Sequence, residues 1–362
     1  MRGWILAGVV TALAAGPQAP TLAQTLAQTE PQTPPSSWCD VSPADAAAAL
    51  PAALPHLADM LARQPHPLAR LHTEGTLPHH GIRDESIAAK RDLPIMRDAA
   101  LAWRAGVGDA YLALAERYLK AWVATYQPGL NPIDETGFDA LIDTYAIIGP
   151  QMDTASRDAA KTFLTRWAKA YIASIDGHKI VSISPQAKSW TNNWQSHRIK
   201  LITMMAVTLD DDALFADARR LYQAQIAANI GPDGEVSDFA ERDALHYVIY
   251  DLEPLTQAAL VARRRGEDWF SYQSPSGSSL AGAIRWLEPY ASGEKPHTEF
   301  LHSKTVFDAQ RAAAGEPGYS GPFDPKTAGN LMWAASRFDA NYLDLARRLK
   351  PQAPAYLVLC GQ

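Results

Sequence analysis

Gly108-Asp109-Ala110-Tyr111-Leu112-Ala113-Leu114-Ala115-Glu116-Arg117-Tyr118-Leu119-Lys120-Ala121-Trp122-Val123-Ala124-Thr125-Tyr126 is followed at once by Gln127-Pro128-Gly129. Tyr111, Leu112, Leu114, Ala115, Tyr118 and Leu119 fall on one broad face at helical spacing, and Pro128-Gly129 ends the run. The same unit recurs along the chain. Helical patterns are expected near 43–50, 54–63, 98–105, 138–148, 154–174, 196–209, 213–228, 238–265, 278–290 and 328–349. Gly149-Pro150, Asp210-Asp211-Asp212 and Gly231-Pro232-Asp233-Gly234 separate several of them. Strand alternation is scarce, with 179–184 the best candidate, equally readable as loop. Helix pairs joined by short turns imply an all-α fold, an α/α toroid or barrel of antiparallel pairs with few or no strands. No fixed sequence repeat marks a regular solenoid.

The chain has 362 residues and a net charge of −6. No basic block is present, so nucleic acid is not an expected partner. An acidic chain that takes an acidic polymer has to gather positive charge locally in a cleft. Residues 1–23 read as a secretory signal peptide. Arg2 precedes an apolar run from Trp4 to Ala15 that is too short to span a bilayer, and Thr21-Leu22-Ala23 is a small-residue cleavage site. Residues 24–37, rich in Gln, Thr and Pro, read as a disordered linker. Residues 38–362 then form a single helical domain, expected in the periplasm or outside the cell, with no membrane contact after cleavage. The two cysteines, Cys39 and Cys360, sit at its edges. A disulfide between the termini and two free thiols are equal readings.

Two segments carry candidate chemistry. Thr191-Asn192-Asn193-Trp194-Gln195-Ser196-His197-Arg198 gathers amides, an imidazole and a guanidinium. Read as one helix, 238–265 places Arg242, His246 and Tyr250 at i, i+4 and i+8 on one stripe, with Tyr247 beside it. Such groups suit β-elimination from a uronate. That reaction needs the C6 carboxylate neutralised, a base for the C5 proton and an acid for the leaving O4. A third segment, 66–97, holds His79, His80 and Arg83 among Pro and Gly and is expected to line a cleft mouth. No metal-ligand spacing is present and no cofactor is implied. A glycoside hydrolase would instead draw paired carboxyls from Asp134, Glu135, Asp238 or Glu241. A binding protein for oligouronates would bind without turnover.

The chain resembles the alginate-lyase superfamily of polysaccharide lyases. The resemblance rests on Asn192-Asn193-Trp194 with His197, on the run from Glu241 to Leu255, and on Trp286-Leu287-Glu288-Pro289-Tyr290. It implies an α/α toroid and metal-free elimination from an acidic polysaccharide. Asn193 would bind the C6 carboxylate, with Asn192 as the alternative, and Arg242 would share that task. His197 would be base or neutraliser, and Tyr250 the acid at O4. Trp194, Gln195, Arg198, His246, Tyr247, His79, His80 and Arg83 are candidates for substrate contact; Trp190, Trp194 and Trp286 either stack on sugars or pack the core. The family carries histidine directly after the second asparagine, where this chain has Trp194. The family's arginine lies seven residues before its tyrosine, where this chain has Asp243. These departures point the substrate expectation to β-1,4-glucuronan, with polymannuronate (alginate) as the alternative.

Overall fold

The computed structural model describes residues 57–181, 189–354, 356 and 357, with a few isolated positions before them. The described residues from 57 onward form one compact unit. The expected signal peptide and linker, and Cys39 and Cys360, lie outside the described residues.

The described residues form fourteen α-helices, in order α1 (Leu57–Met60), α2 (Arg83–Lys90), α3 (Asp92–Arg104), α4 (Asp109–Thr125), α5 (Asp139–Ile148), α6 (Thr154–Val181), α7 (Asn193–Thr208), α8 (Asp212–Asn229), α9 (Ser237–Arg242), α10 (Leu245–Arg263), α11 (Leu280–Ala291), α12 (Val306–Ala313), α13 (Gly329–Ala335) and α14 (Leu343–Leu349). Four helix hairpins, α3–α4, α7–α8, α10–α11 and α13–α14, and the long α6, which packs on α7 and α4, build an α/α toroid. The first member of each hairpin and α5 form an inner row, with α3 against α5, α5 against α7, α7 against α10 and α10 against α13.

Residue pattern sorts the two layers. The outer helix α4 buries only the stripe Leu114, Ala115, Tyr118, Leu119 and Trp122. In α8 the buried stripe runs Leu214, Phe215, Ala218, Leu221, Tyr222, Gln225 and Ile226. The inner helices are buried around more of their circumference, α7 most fully. Between Asn193 and Val207, α7 leaves only Trp194 partly open. At Gly234, whose φ is +95°, an added Cβ would lie 2.6 Å from the Gly282 carbonyl oxygen, so the 231–234 turn packs onto α11 only with glycine there.

Several expected boundaries move. The 66–97 segment is not all loop, because α2 and the start of α3 lie inside it. The helix expected at 196–209 begins at Asn193, capped by the Asn192 side chain. The 328–349 helix is two, α13 and α14, with a 3₁₀ turn Ala340–Tyr342 between them. Of the 179–184 strand candidate, 179–181 close α6 and the rest lies outside the described residues.

The correction that matters most for function falls at 238–265, which is two helices. Asp243 adopts the left-handed conformation (φ 50°, ψ 49°) and Ala244 is extended. A distant segment supports the break. The Asp243 carbonyl accepts from Phe300 N (2.8 Å) and His297 Nε2 (3.0 Å), and Asp243 Oδ2 accepts from His302 N (2.9 Å). The Glu299 carboxylate accepts from Leu245 N (2.8 Å) and His246 N (2.9 Å), satisfying the new N-terminus of α10. Glu299 lies on β1 (Thr298–Glu299), which pairs antiparallel with β2 (Gly321–Pro322), Thr298 opposite Pro322. This two-stranded pair closes off 300–320, including α12.

Candidate active site

The N-terminal ends of α7 and α10 meet at the inner face of the toroid. On α7, Asn193 and His197 are one turn apart, and on α10, His246 and Tyr250 are likewise. The His197 and Tyr250 rings lie 4.4 Å apart, centroid to centroid, inclined at 52°. His197 is 5% exposed, and neither ring nitrogen makes a well-formed hydrogen bond with the described residues. Burial, and then the Lys200 charge one turn below, hold its pKa well below the ordinary value. A weak approach of the Tyr250 backbone opposes this. His197 is therefore a neutral imidazole with donor and acceptor both available. Burial likewise pushes the Tyr250 phenol upward, tempered by the Thr136 hydroxyl, so it stays protonated and able to act as an acid.

Asn193 is clamped. Its backbone N–H donates to Asp238 Oδ2 (2.8 Å) and its Nδ2 to Asp238 Oδ1 (2.7 Å), leaving its buried Oδ1 without a partner. A second carboxyl, Asp251, accepts from Ser196 Oγ (2.5 Å) and Asn229 Nδ2 (2.5 Å). Burial raises both carboxyls; the Asp238 charge raises Asp251 further, while the two Asn193 donors hold Asp238 down. Asp238 is therefore the more acidic of the two, and it fixes the amide of Asn193.

Arg242 reaches the site differently from the stripe expected of one long helix. It ends α9, its guanidinium lies 4.0 Å over the Tyr247 ring, and Nη1 donates to Asp308 Oδ1 at 2.5 Å. Asp308 is fully buried, and Ser303 Oγ donates to its other oxygen at 2.7 Å. His246 stacks 6.5 Å from Tyr250, with its pKa pushed down to about 4 by burial and then by Arg311 and Arg242. Tyr247 Oη accepts from Arg311 Nη1 at 2.9 Å.

The remaining candidates divide. Asn192 is the helix cap, accepting from Trp194 N at 3.1 Å. Gln195 and Arg198 turn toward each other: Arg198 Nη1 donates to Gln195 Oε1 (3.2 Å) and Ser189 O (2.7 Å). The guanidinium lies 4.0 Å over Trp190 and 5.9 Å from the half-buried Trp194. This aims both away from Tyr250 into the packing between α7 and its flank. Trp286 packs on Phe239 and Tyr290 in the core. His79 and His80 are exposed, His79 held by Asp84. Arg83 does approach the site, through Glu316 (2.9 Å).

Three of the four carboxyls of the hydrolase reading are occupied. Asp134 accepts from Thr73 N and Oγ1 and from Glu74 N. Glu135 accepts from Tyr126, Tyr171, Trp167 and the Gly129 and Leu130 amides. Asp238 holds Asn193. Glu241 borders a cavity of about 250 Å³ with Asn192 and Lys304. Residues that sequence reading passed over include Lys200, whose ammonium donates to Thr136 O (2.8 Å) and Asp139 Oδ2 (3.2 Å) beneath His197. Arg311 and Tyr319 were passed over as well. The density of His, Lys, Arg, Glu and Tyr between 297 and 319 is the signal that would have flagged them.

A sequence profile of the alginate lyase family matches residues 26–297. The chain belongs to the alginate lyase family. It is therefore a polysaccharide lyase, and the toroid agrees. The lyase superposes on an alginate lyase from Bacteroides ovatus with a TM-score of 0.63 at 16% identity, over 88% of this chain and 93% of that one. Alginate lyase A1-III, in a histidine-to-alanine variant complexed with tetrasaccharide, gives 0.56 at 19% identity, over 85% and 88%. The same enzyme from Sphingomonas species A1 gives 0.53 at 19% identity, over 81% and 93%. A search of curated proteins finds no match.

Proposed function

We propose that the lyase cleaves alginate, in its β-1,4-linked mannuronate stretches, by β-elimination, leaving a 4,5-unsaturated uronate at the new non-reducing end. The observation that carries this is the neutral, unpartnered His197 set against the protonated Tyr250, next to the clamped Asn193. In mannuronate, H5 and O4 lie on the same face of the ring, so one group can take the first proton and return it to O4. Tyr250 serves as that group as a phenolate, its proton having passed to solvent and the nearby Arg311 charge favouring the anion, while neutral His197 and Asn193 meet the carboxylate. The base removes the C5 proton, and the electron pair moves toward the C6 carboxylate. The enolate-like intermediate then collapses to the C4–C5 double bond as O4 leaves and is protonated.

Glucuronan shares this stereochemistry, and the shifted histidine and arginine first favoured it. The family match and the named neighbours weigh toward alginate instead. The displaced histidine carries less weight against it, because His197 lies beside Tyr250 in spite of its later place in sequence. Asp134, Glu135 and Asp238 are each held by donors, which leaves Glu241 without a free carboxyl to pair with for hydrolysis.

The test is a substrate panel of polymannuronate, polyguluronate, glucuronan and hyaluronan, followed by ultraviolet absorbance of the conjugated product. Highest turnover on polymannuronate is expected. Highest turnover on glucuronan would return the substrate assignment to that polymer. Cleavage without ultraviolet absorbance would show hydrolysis, and binding without cleavage would leave only a binding protein.

A further inference from the structure

Removing the C5 proton adds charge to a carboxylate that is already anionic, and neutral His197 and Asn193 supply hydrogen bonds but no countercharge. The cations around Tyr250 are therefore decisive. Arg242 is committed to the buried Asp308 at 2.5 Å. Lys200 is committed to Asp139 and the Thr136 carbonyl, and Lys90, whose charge also reaches His197, lies against the Ile133 carbonyl and the charges of Asp134 and Glu135. Arg198 is turned onto Trp190.

Arg311, on α12, is different. Its Nη1 donates to two phenols, Tyr247 Oη (2.9 Å) and Tyr319 Oη (2.5 Å), rather than to a carboxylate. The acid within 4 Å of it is Glu316 at 3.7 Å, which Arg83 holds more closely at 2.9 Å. Arg83 and Arg242 thus each hold a carboxylate closely (Glu316 at 2.9 Å and Asp308 at 2.5 Å), and Arg311 has none closer than 3.7 Å among the described residues. Glu74 also feels Arg311, though less than it feels Asp134, His72 and Asn131. The Arg311 charge acts directly on both Tyr250 and His246. Tyr319 is brought over His246, with ring centroids 5.6 Å apart, by the turn at Gly318 (φ +86°). The cationic wall therefore borders the same space as His246 and Tyr250.

We propose that Arg311 is the cation of this active site. It neutralises the C6 carboxylate and stabilises the enolate-like intermediate, in the role the sequence pattern gave to Arg242. Arg242 is a positioning residue that fixes Asp308 and the face of Tyr247. Arg311 lies beyond the family-matched residues 26–297, so the charge is supplied by the segment that the β1–β2 pair closes off. The proposal rests on the elimination reading above.

The experiment compares Arg311→Ala, Arg311→Gln and Arg242→Ala with wild type on polymannuronate. It reads kcat, KM and melting temperature, with and without added guanidinium at low millimolar concentration. Arg311→Ala is expected to lose roughly 10²–10³-fold in kcat, with a smaller change in KM. Guanidinium should restore part of that loss. Arg311→Gln keeps a donor for the phenols without the charge, and should lose kcat similarly without a large change in melting. Arg242→Ala should melt lower, yet keep kcat per folded molecule within about tenfold and gain nothing from guanidinium. Near wild-type kcat in Arg311→Gln would overturn the proposal. So would a larger loss in Arg242→Ala that guanidinium repairs. If wild type instead releases no ultraviolet-absorbing product from any polyuronate, the elimination reading itself fails and this proposal with it.

Discussion

Arg242→Met strands the Asp308 carboxylate, which is fully buried and keeps only the Ser303 hydroxyl as donor. Two estimates of the cost agree. Removing one partner of a buried ion pair costs about 3–5 kcal/mol. Alternatively, the stranded acid takes up a proton, and protonating an ordinary aspartate at pH 7 costs about 4 kcal/mol. The second route sets a ceiling and makes the penalty depend on pH. A stranded acid that holds its proton in the folded state contributes stability that is present in acid and lost as pH rises. The gap between Arg242→Met and wild type should therefore be about 1 kcal/mol near pH 4, where protonation is nearly free, and about 4 kcal/mol at pH 7. Urea unfolding at a series of pH values, followed by circular dichroism, measures it. The double variant Arg242→Met with Asp308→Leu removes both charges and should recover most of the loss at pH 7. A penalty that stays flat with pH, or a double variant no more stable than Arg242→Met alone, would refute the buried-pair argument and with it the positioning role of Arg242.

Tyr250→Phe should lower kcat by about 10²–10⁴-fold with little change in melting, since only the proton-transfer group is removed; turnover close to wild type would show that another residue is the acid. His197→Leu should abolish turnover yet melt at or above the wild-type temperature, because it deletes two buried ring nitrogens that lack good partners, each an unsatisfied group costing about 1–3 kcal/mol. A clear drop in melting would mean those nitrogens are bonded after all. Burial pushes Glu299 up to about 7. Its proton uptake therefore stabilises the fold fully below about 4.5, and this contribution is lost as pH rises through about 7. Glu299→Gln cannot lose a proton, so its stability relative to wild type should improve from pH 5 to pH 8; a relative stability that does not move with pH would contradict this.

Where one side of an element faces the core, the sequence was legible. The face from Tyr111 to Leu119 reads as one side of a helix, and α4 buries its Leu114, Ala115, Tyr118 and Leu119, with Trp122 added. Tyr250 and His197 were legible as partners because the chemistry restricts the choice to few residue types. The inner helices hid more. In α7 nearly every side chain is buried, so no stripe distinguishes Asn193 and His197, which line the site, from Gln195 and Arg198, which turn away toward Ser189 and Trp190. The helix break was hidden for a different reason. Glu-Arg-Asp-Ala-Leu-His has no glycine or proline to stop a helix, and the groups that stabilise the left-handed Asp243 are His297, Glu299, Phe300 and His302, more than fifty residues later.

That break bears directly on the chemistry. In one continuous helix, Arg242 would stand two turns below Tyr250 on the same stripe, free to reach a substrate carboxylate. With the chain reversed through Asp243, Arg242 instead leaves α9 toward α12 and meets Asp308. The same segment that supports the break, from His297 to Tyr319, also delivers Arg311 to the phenols beside Tyr250. Loss of the arginine from its expected stripe and arrival of another from α12 are thus two results of one local rearrangement. A single contact set, the Glu299 carboxylate on the Leu245 and His246 amides, ties them together. Weakening it by Glu299→Ala should disturb both arginines at once, lowering melting through Arg242–Asp308 and lowering kcat through Arg311. If kcat per folded molecule stayed at the wild-type level while melting fell, the two arginines would be independent.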